Sequence, residues 1–220
     1  MKYKSLLFPT LTALFFTLFF DIIFSYAFDK TGSMLVLMSG VALCGMVVNL
    51  VGAIFIRLRL RIDLPNSLET MTRLVIYSFL GGLFNVACSY FIYAVMYAFI
   101  NSGLVTYYLI CSAANAAVLA AKLAAFYFIV RTAYKPHYQI CIKLGGRALI
   151  PALAMAALYV AYSVTDVLLL NSQSGAQYLM LSQKLPTIIY ILYVMTLAVF
   201  ICFGSQKNGK NHFAPPVPEK

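Results

Sequence analysis

The chain has 220 residues, of which 63% are hydrophobic and only 10% charged, whereas a soluble domain carries about 25% charged residues, so a soluble globular fold is excluded and an integral membrane protein is expected. The formal charge of +10 does not point to nucleic acid, because the basic residues sit in short segments between hydrophobic runs, where they set orientation. Cys44, Cys88, Cys111, Cys141 and Cys202 form no C-x-x-C pair and have no histidines near them to complete a metal site, so they read as packing residues, and no metal or cofactor is expected.

The first predicted span covers 6–28 and contains Asp21. Lys2 and Lys4 with Ser25 and Ala27 would also suit a signal peptide and its cleavage site, but the run is long for an h-region and holds a carboxylate, so it is read as a retained helix. A second span, 34–56, ends in the run RLRLR, which places Arg57, Arg59 and Arg61 at a membrane surface. Pro65, Asn66 and Glu69 then give a turn and a near capping box before a third span at 72–100. Only Asn101, Ser102 and Gly103 separate it from the fourth span, 104–130, which requires an antiparallel hairpin.

Within that fourth span Ala113, Ala117, Ala121 and Ala125 recur every four residues, with Ala116, Ala120 and Ala124 beside them, so a neighbouring helix is expected along an alanine stripe. Ser112, Asn115, Leu119 and Lys122 share another face, which should meet protein or water and not lipid. A basic loop follows, then a fifth span at 148–170 with Pro151 in its first turn and Asp166 near its far end. Residues 171–186 read as a polar connection to Pro186 and a sixth span at 187–204, and 205–220 as a flexible tail.

The Lys and Arg residues alternate between the two sides. The amino end, the loops after the second and fourth spans, and the tail hold 13 of them, while the opposite loops hold only Lys30 and Lys184. By the positive-inside rule both termini are cytoplasmic. Counting about 1.5 Å per residue puts Asp21 roughly 10 Å and Asp166 roughly 6 Å below the outer ends of their spans, Asn85 and Asn115 near mid-depth, and Lys122 about 12 Å from the inner end. The carboxylates are expected to line an outer vestibule and Lys122 an inner one, because buried charge needs hydration or a partner. The plainer alternative has the aspartates reaching interfacial water, Lys122 snorkelling to headgroups and the asparagines making interhelical hydrogen bonds.

No H-E-x-x-H, G-x-S-x-G or Walker A sequence is present, so no enzyme or nucleotide motor is expected. Asp21 in the first span, with Asn49 and Arg57 closing the second, resembles the hairpins of small GtrA-type flippases for lipid-linked sugars; Gly81-Gly82, Asn115 and Arg131 can be laid on the same pattern. Those proteins are usually four-helix and shorter, which leaves two spans unaccounted for. GMVVN at 45–49, followed by the arginine run and Leu64-Pro65-Asn66, is similar to the first two helices of rhodopsin-like receptors, but a seventh span and the motif after the third receptor helix are missing. Neither resemblance assigns a family.

The expected fold class is therefore an all-α integral membrane protein of six transmembrane helices in one bundle, with both termini cytoplasmic. Residues 1–204 form the domain. The expected function is that of a small multi-pass transporter or flippase in a bacterial inner (cell) membrane, with Asp21, Asn85, Asn115, Lys122 and Asp166 lining the path. Its rival is a non-transporting scaffold, immunity or assembly subunit, in which the polar residues are only glue between helices. The lipid bilayer is the expected partner, with room for a homo-oligomer or a partner membrane subunit, and nucleic acid is not expected.

Overall fold

A computed structural model describes residues 4–62, 67–135, 138–142 and 175–207, together with positions 150, 153–154, 157–159 and 161. Most of the fifth predicted span, Asp166, and residues 208–220 of the tail lie outside the described residues. Five helices, α1 (Lys4–Thr31), α2 (Met34–Leu60), α3 (Ser67–Ala98), α4 (Leu104–Tyr134) and α5 (Gly175–Gly204), form one bundle. Each is long and apolar enough to cross a membrane. Large apolar side chains point outward along them, among them Phe8, Phe15, Leu80 and Phe128, as expected where the surrounding medium is hydrocarbon.

The helices end where local chemistry stops them. Between α1 and α2, Gly32 takes a φ of 64°, which glycine adopts without steric cost, and its N–H donates to Phe28 O at 2.7 Å. At the other end of α2, Arg61 turns left-handed and the Arg57 carbonyl accepts its N–H as well as that of Ile62. The α3–α4 joint is the expected tight hairpin, with Ser102 donating through both N–H and Oγ to Phe99 O.

Helix α2, not α4, is the central element: it packs against α1, α3, α4 and α5. Its small residues permit this. A methyl group at Gly82 of α3 would overlap the Ala42 carbonyl oxygen of α2, so the two backbones touch where no side chain intervenes. By contrast, Ala113, Ala116, Ala117, Ala120 and Ala124 of α4 are exposed. Among the described residues no helix covers these five, whereas Ala121 and Ala125 are half-buried and Ala125 shares a hollow with Gly81 and Phe84 of α3.

Two further differences concern the carboxyl-terminal part. Helix α5 begins at Gly175, so Pro186 lies inside it and not before it. A proline within a helix costs about 3 kcal/mol in water, and membrane helices tolerate one where neighbouring groups satisfy the freed backbone. The start of the tail is also ordered: Gln206–Lys207 (β2) pairs antiparallel with Tyr138–Gln139 (β1). Cys141 N–H donates to Ser205 Oγ at 3.2 Å, and Tyr138 OH donates to Leu60 O at 2.8 Å. The chain ends of α2, α4 and α5 therefore meet at one end of the bundle, here called the basic end for Arg57, Arg59, Arg61, Arg131 and Lys135. The α1–α2 and α3–α4 joints mark the other, the turn end.

Packing differs between the two halves. Toward the basic end Ala53, Ile56, Phe126, Val130, Tyr134, Val194, Met195, Ala198 and Ile201 form a core with almost no exposed surface. Toward the turn end the helices enclose a cavity.

Candidate functional site

The cavity has a volume of about 480 Å³ and is lined by α1, α2, α3, α4 and α5. Asp21, Asn85, Asn115 and Lys122, singled out as separate polar positions in the sequence, all open into it. Asp166 lies outside the described residues. Counting from the helix ends at the turn end, with about 1.5 Å per residue, Asp21 and Asn115 stand about 15 Å deep, Asn85 about 20 Å and Lys122 about 27 Å. Lys122 is the floor of the cavity. Among the described residues no inner vestibule is seen beneath it: Phe126, one turn further along α4, is fully buried in the apolar core.

Each polar group is held by a local device. Asn85 is buried, and its amide Nδ2 donates to the Val41 carbonyl of α2 at 3.1 Å. Gly45 makes room for it, since a Cβ there would stand 2.9 Å from the Asn85 Cβ. The Asn85 Oδ1 receives no hydrogen bond among the described residues. A buried acceptor left unfilled costs about 1–3 kcal/mol, which a donor from a cavity occupant can recover. Ser89, one turn away on the same helix, donates to Asn85 O at 3.0 Å and also lines the cavity. On α4, the Asn115 amide is turned back on its own helix, donating to Cys111 O at 3.0 Å, and leaves its oxygen for other partners.

Lys122 sits with its ammonium 5.3 Å from the centre of the Tyr190 ring, whose negative face attracts it. The Tyr190 hydroxyl in turn donates to Asn49 Oδ1 at 3.4 Å, so α2, α4 and α5 are joined at the cavity floor. No carboxylate forms an ion pair with Lys122 among the described residues. The ammonium thus faces the cavity with a ring beneath it and, among the described residues, no carboxylate in contact. A smaller hollow of about 70 Å³ adjoins it, lined by Asn115, Lys122, Tyr159 and Tyr190 among others, and Tyr159 OH donates to the Ser112 carbonyl at 3.0 Å.

Tyr190, Asn49 and Thr17 belong to this site although sequence reasoning did not select them for the path. Thr17 is fully buried, bonds Ala13 O through Oγ1 at 2.6 Å, and lines the cavity. A tyrosine within an isoleucine-rich run carries no signal that separates it from ordinary packing. Asn49 had one: an amide in an otherwise apolar span must find a partner.

Chemically, the site offers a cation at the floor, a carboxylate and amide groups above it, and apolar walls from Val48, Val118 and Ile92. Pockets for small ligands commonly measure about 300–1,000 Å³ and combine apolar walls with a few convergent polar groups. This one fits a small solute or a headgroup. No protein-family model matches the chain, and no curated protein or solved structure is significantly similar to it.

Proposed function

We propose that the protein is a small multi-pass transporter or flippase that admits a solute, or the headgroup of a lipid-linked substrate, to the cavity between α1, α2, α3, α4 and α5. The observation that carries this reading is the convergence of Asp21, Asn85, Asn115 and Lys122 on one 480 Å³ cavity. Charged groups this deep are costly unless they are hydrated, paired or bound to ligand. On this reading the apolar core beneath Lys122 closes the cavity toward the basic end, and with cytoplasmic termini the form would be an outward-facing one. The chain carries no energy-coupling motif, so active transport would draw on an ion gradient or a partner ATPase.

A six-span topology with cytoplasmic termini in the cell membrane accompanies the proposal. It is supported by the common end at which α2, α4 and α5 finish, since α5 begins at Gly175 and runs back to the end where Cys141 stands. Backbone at 150, 153–154, 157–159 and 161 is helical. With native cysteines replaced, a cysteine between Arg57 and Arg73 should resist an impermeant thiol reagent added to intact cells, while one at Ser174 should react. Labelling of the first site in intact cells overturns the topology.

Transport itself is tested in liposomes. Purified protein should move ions, small solutes or fluorescent lipids above the rate of empty vesicles, and Asp21→Asn should insert normally yet lower that flux at least ten-fold if the carboxylate binds a cation or proton. The same dry core favours a second reading, a non-transporting scaffold, immunity or assembly subunit, because no continuous path crosses the described bundle. Folded protein without flux in any of these assays decides for the scaffold.

A further inference from the structure

A second pocket, of about 360 Å³, opens at the basic end, away from the cavity. Tyr127, Arg131 and Lys135 line it from α4, at successive four-residue steps that put all three on one helix face. The segment Tyr138, Gln139, Ile140 and Cys141 forms the facing wall. That wall is fixed in place: Tyr127 OH donates to Ile140 O at 3.2 Å, β1 pairs with β2, and Cys141 N–H donates to Ser205 Oγ at 3.2 Å. Among the described residues no carboxylate lines the pocket.

Its height decides the ligand. The apolar span of α4 runs Leu109–Tyr134, so Arg131 and Lys135 stand in the last turn and just past it, at headgroup level, and both are exposed. A guanidinium offers a planar fork of donors that matches phosphate oxygens, and the nearby ammonium adds a second charge. Basic pockets at the ends of membrane helices are suited to acidic lipid headgroups.

We propose that this pocket binds the phosphate of an anionic phospholipid, with Arg131 and Lys135 on the phosphate and Gln139 beside the headgroup alcohol. The site is separate from the cavity and stands whether or not the chain transports. A zwitterionic lipid is expected to bind less tightly, because among the described residues its ammonium finds no carboxylate there.

The test uses the full chain in an uncharged detergent, with short-chain phosphatidylglycerol, phosphatidylcholine of the same chain length and inorganic phosphate as separate probes. Native mass spectrometry and thermal shift should show one phosphatidylglycerol retained per chain and no retained phosphatidylcholine. Each basic residue near a membrane surface contributes about five-fold in affinity, so Arg131→Gln with Lys135→Gln should weaken phosphatidylglycerol about 25-fold, whereas Arg131→Lys with Lys135→Arg should retain binding. Equal binding of the two lipids overturns the proposal, as does a double glutamine variant that binds like wild type. Inorganic phosphate binding as tightly as the lipid would reassign the pocket to a soluble anion. Should the double variant not fold, the single Lys135→Gln, at an exposed position, is expected to weaken binding about five-fold, and an unchanged affinity overturns the assignment.

Discussion

Lys122→Met is expected to abolish transport in liposomes while leaving the protein as stable as wild type or more so. The two effects have one cause. Lys122 lies at the cavity floor without an ion-pair partner among the described residues, so under the proposed function its charge costs the fold and serves what the cavity would hold. A lysine near the centre of a membrane helix costs about 2.5–3.5 kcal/mol by insertion scales. Part of that is offset by the Tyr190 ring, since cation–π contacts contribute about 0.5–2 kcal/mol. Methionine keeps most of the stem's length and can still pack on the ring. The variant should therefore gain about 1–2 kcal/mol, read as a higher midpoint in thermal unfolding, and lose at least ten-fold in flux. Full flux would return Lys122 to a snorkelling role and leave the scaffold reading ahead. A large loss of stability would mean that the charge is neutralised within the fold.

Gly82→Val should have the largest effect on stability. A Cβ at this position would overlap the Ala42 carbonyl oxygen and lie 3.2 Å from the Met46 backbone nitrogen. Both obstacles are backbone, which cannot rotate away as a side chain can. Helices α2 and α3 would have to separate, breaking the Asn85 to Val41 hydrogen bond and opening the wall of the cavity. Overpacking of this kind costs about 3 kcal/mol or more. Gly103→Ala is the control: nothing lies within 4 Å of its added methyl, so the change should stay within about 0.5 kcal/mol. Equal unfolding midpoints for the two variants would contradict the close approach of α2 and α3.

The contrast between what could and could not be read from the sequence follows from the physics of each residue. Hydropathy sets α1 to α4 within a few residues, because in lipid a run of apolar side chains must form a helix to satisfy its backbone. Asp21, Asn85, Asn115 and Lys122 were legible for the same reason: polar groups inside apolar spans are costly and so are conspicuous. Which side the cavity opens to was not legible, because that depends on Phe126, Val194 and Met195 closing together from different helices. Pro186, whose usual meaning is a breaker, lies within α5, although the apolar span 187–204 follows it as expected, and the alanine stripe is half-buried at Ala121 and Ala125 but exposed at Ala113 and Ala117. Alanine is small enough to suit a close contact and apolar enough to suit lipid, so periodicity alone cannot choose between them.

The short strand pair at the basic end, taken with the bond from Tyr138 to Leu60, ties the ends of α2, α4 and α5 to one another. Rods bound together at the base can spread only at the tips. Small tilts of these helices are therefore magnified toward the α1–α2 and α3–α4 joints, where the cavity lies, and are least felt around Tyr134 and Ile201. Breathing of the cavity mouth needs no change at the base. Any opening of the opposite side would first have to break this knot, which consists of a two-residue ladder and a few single hydrogen bonds and lies outside every helix.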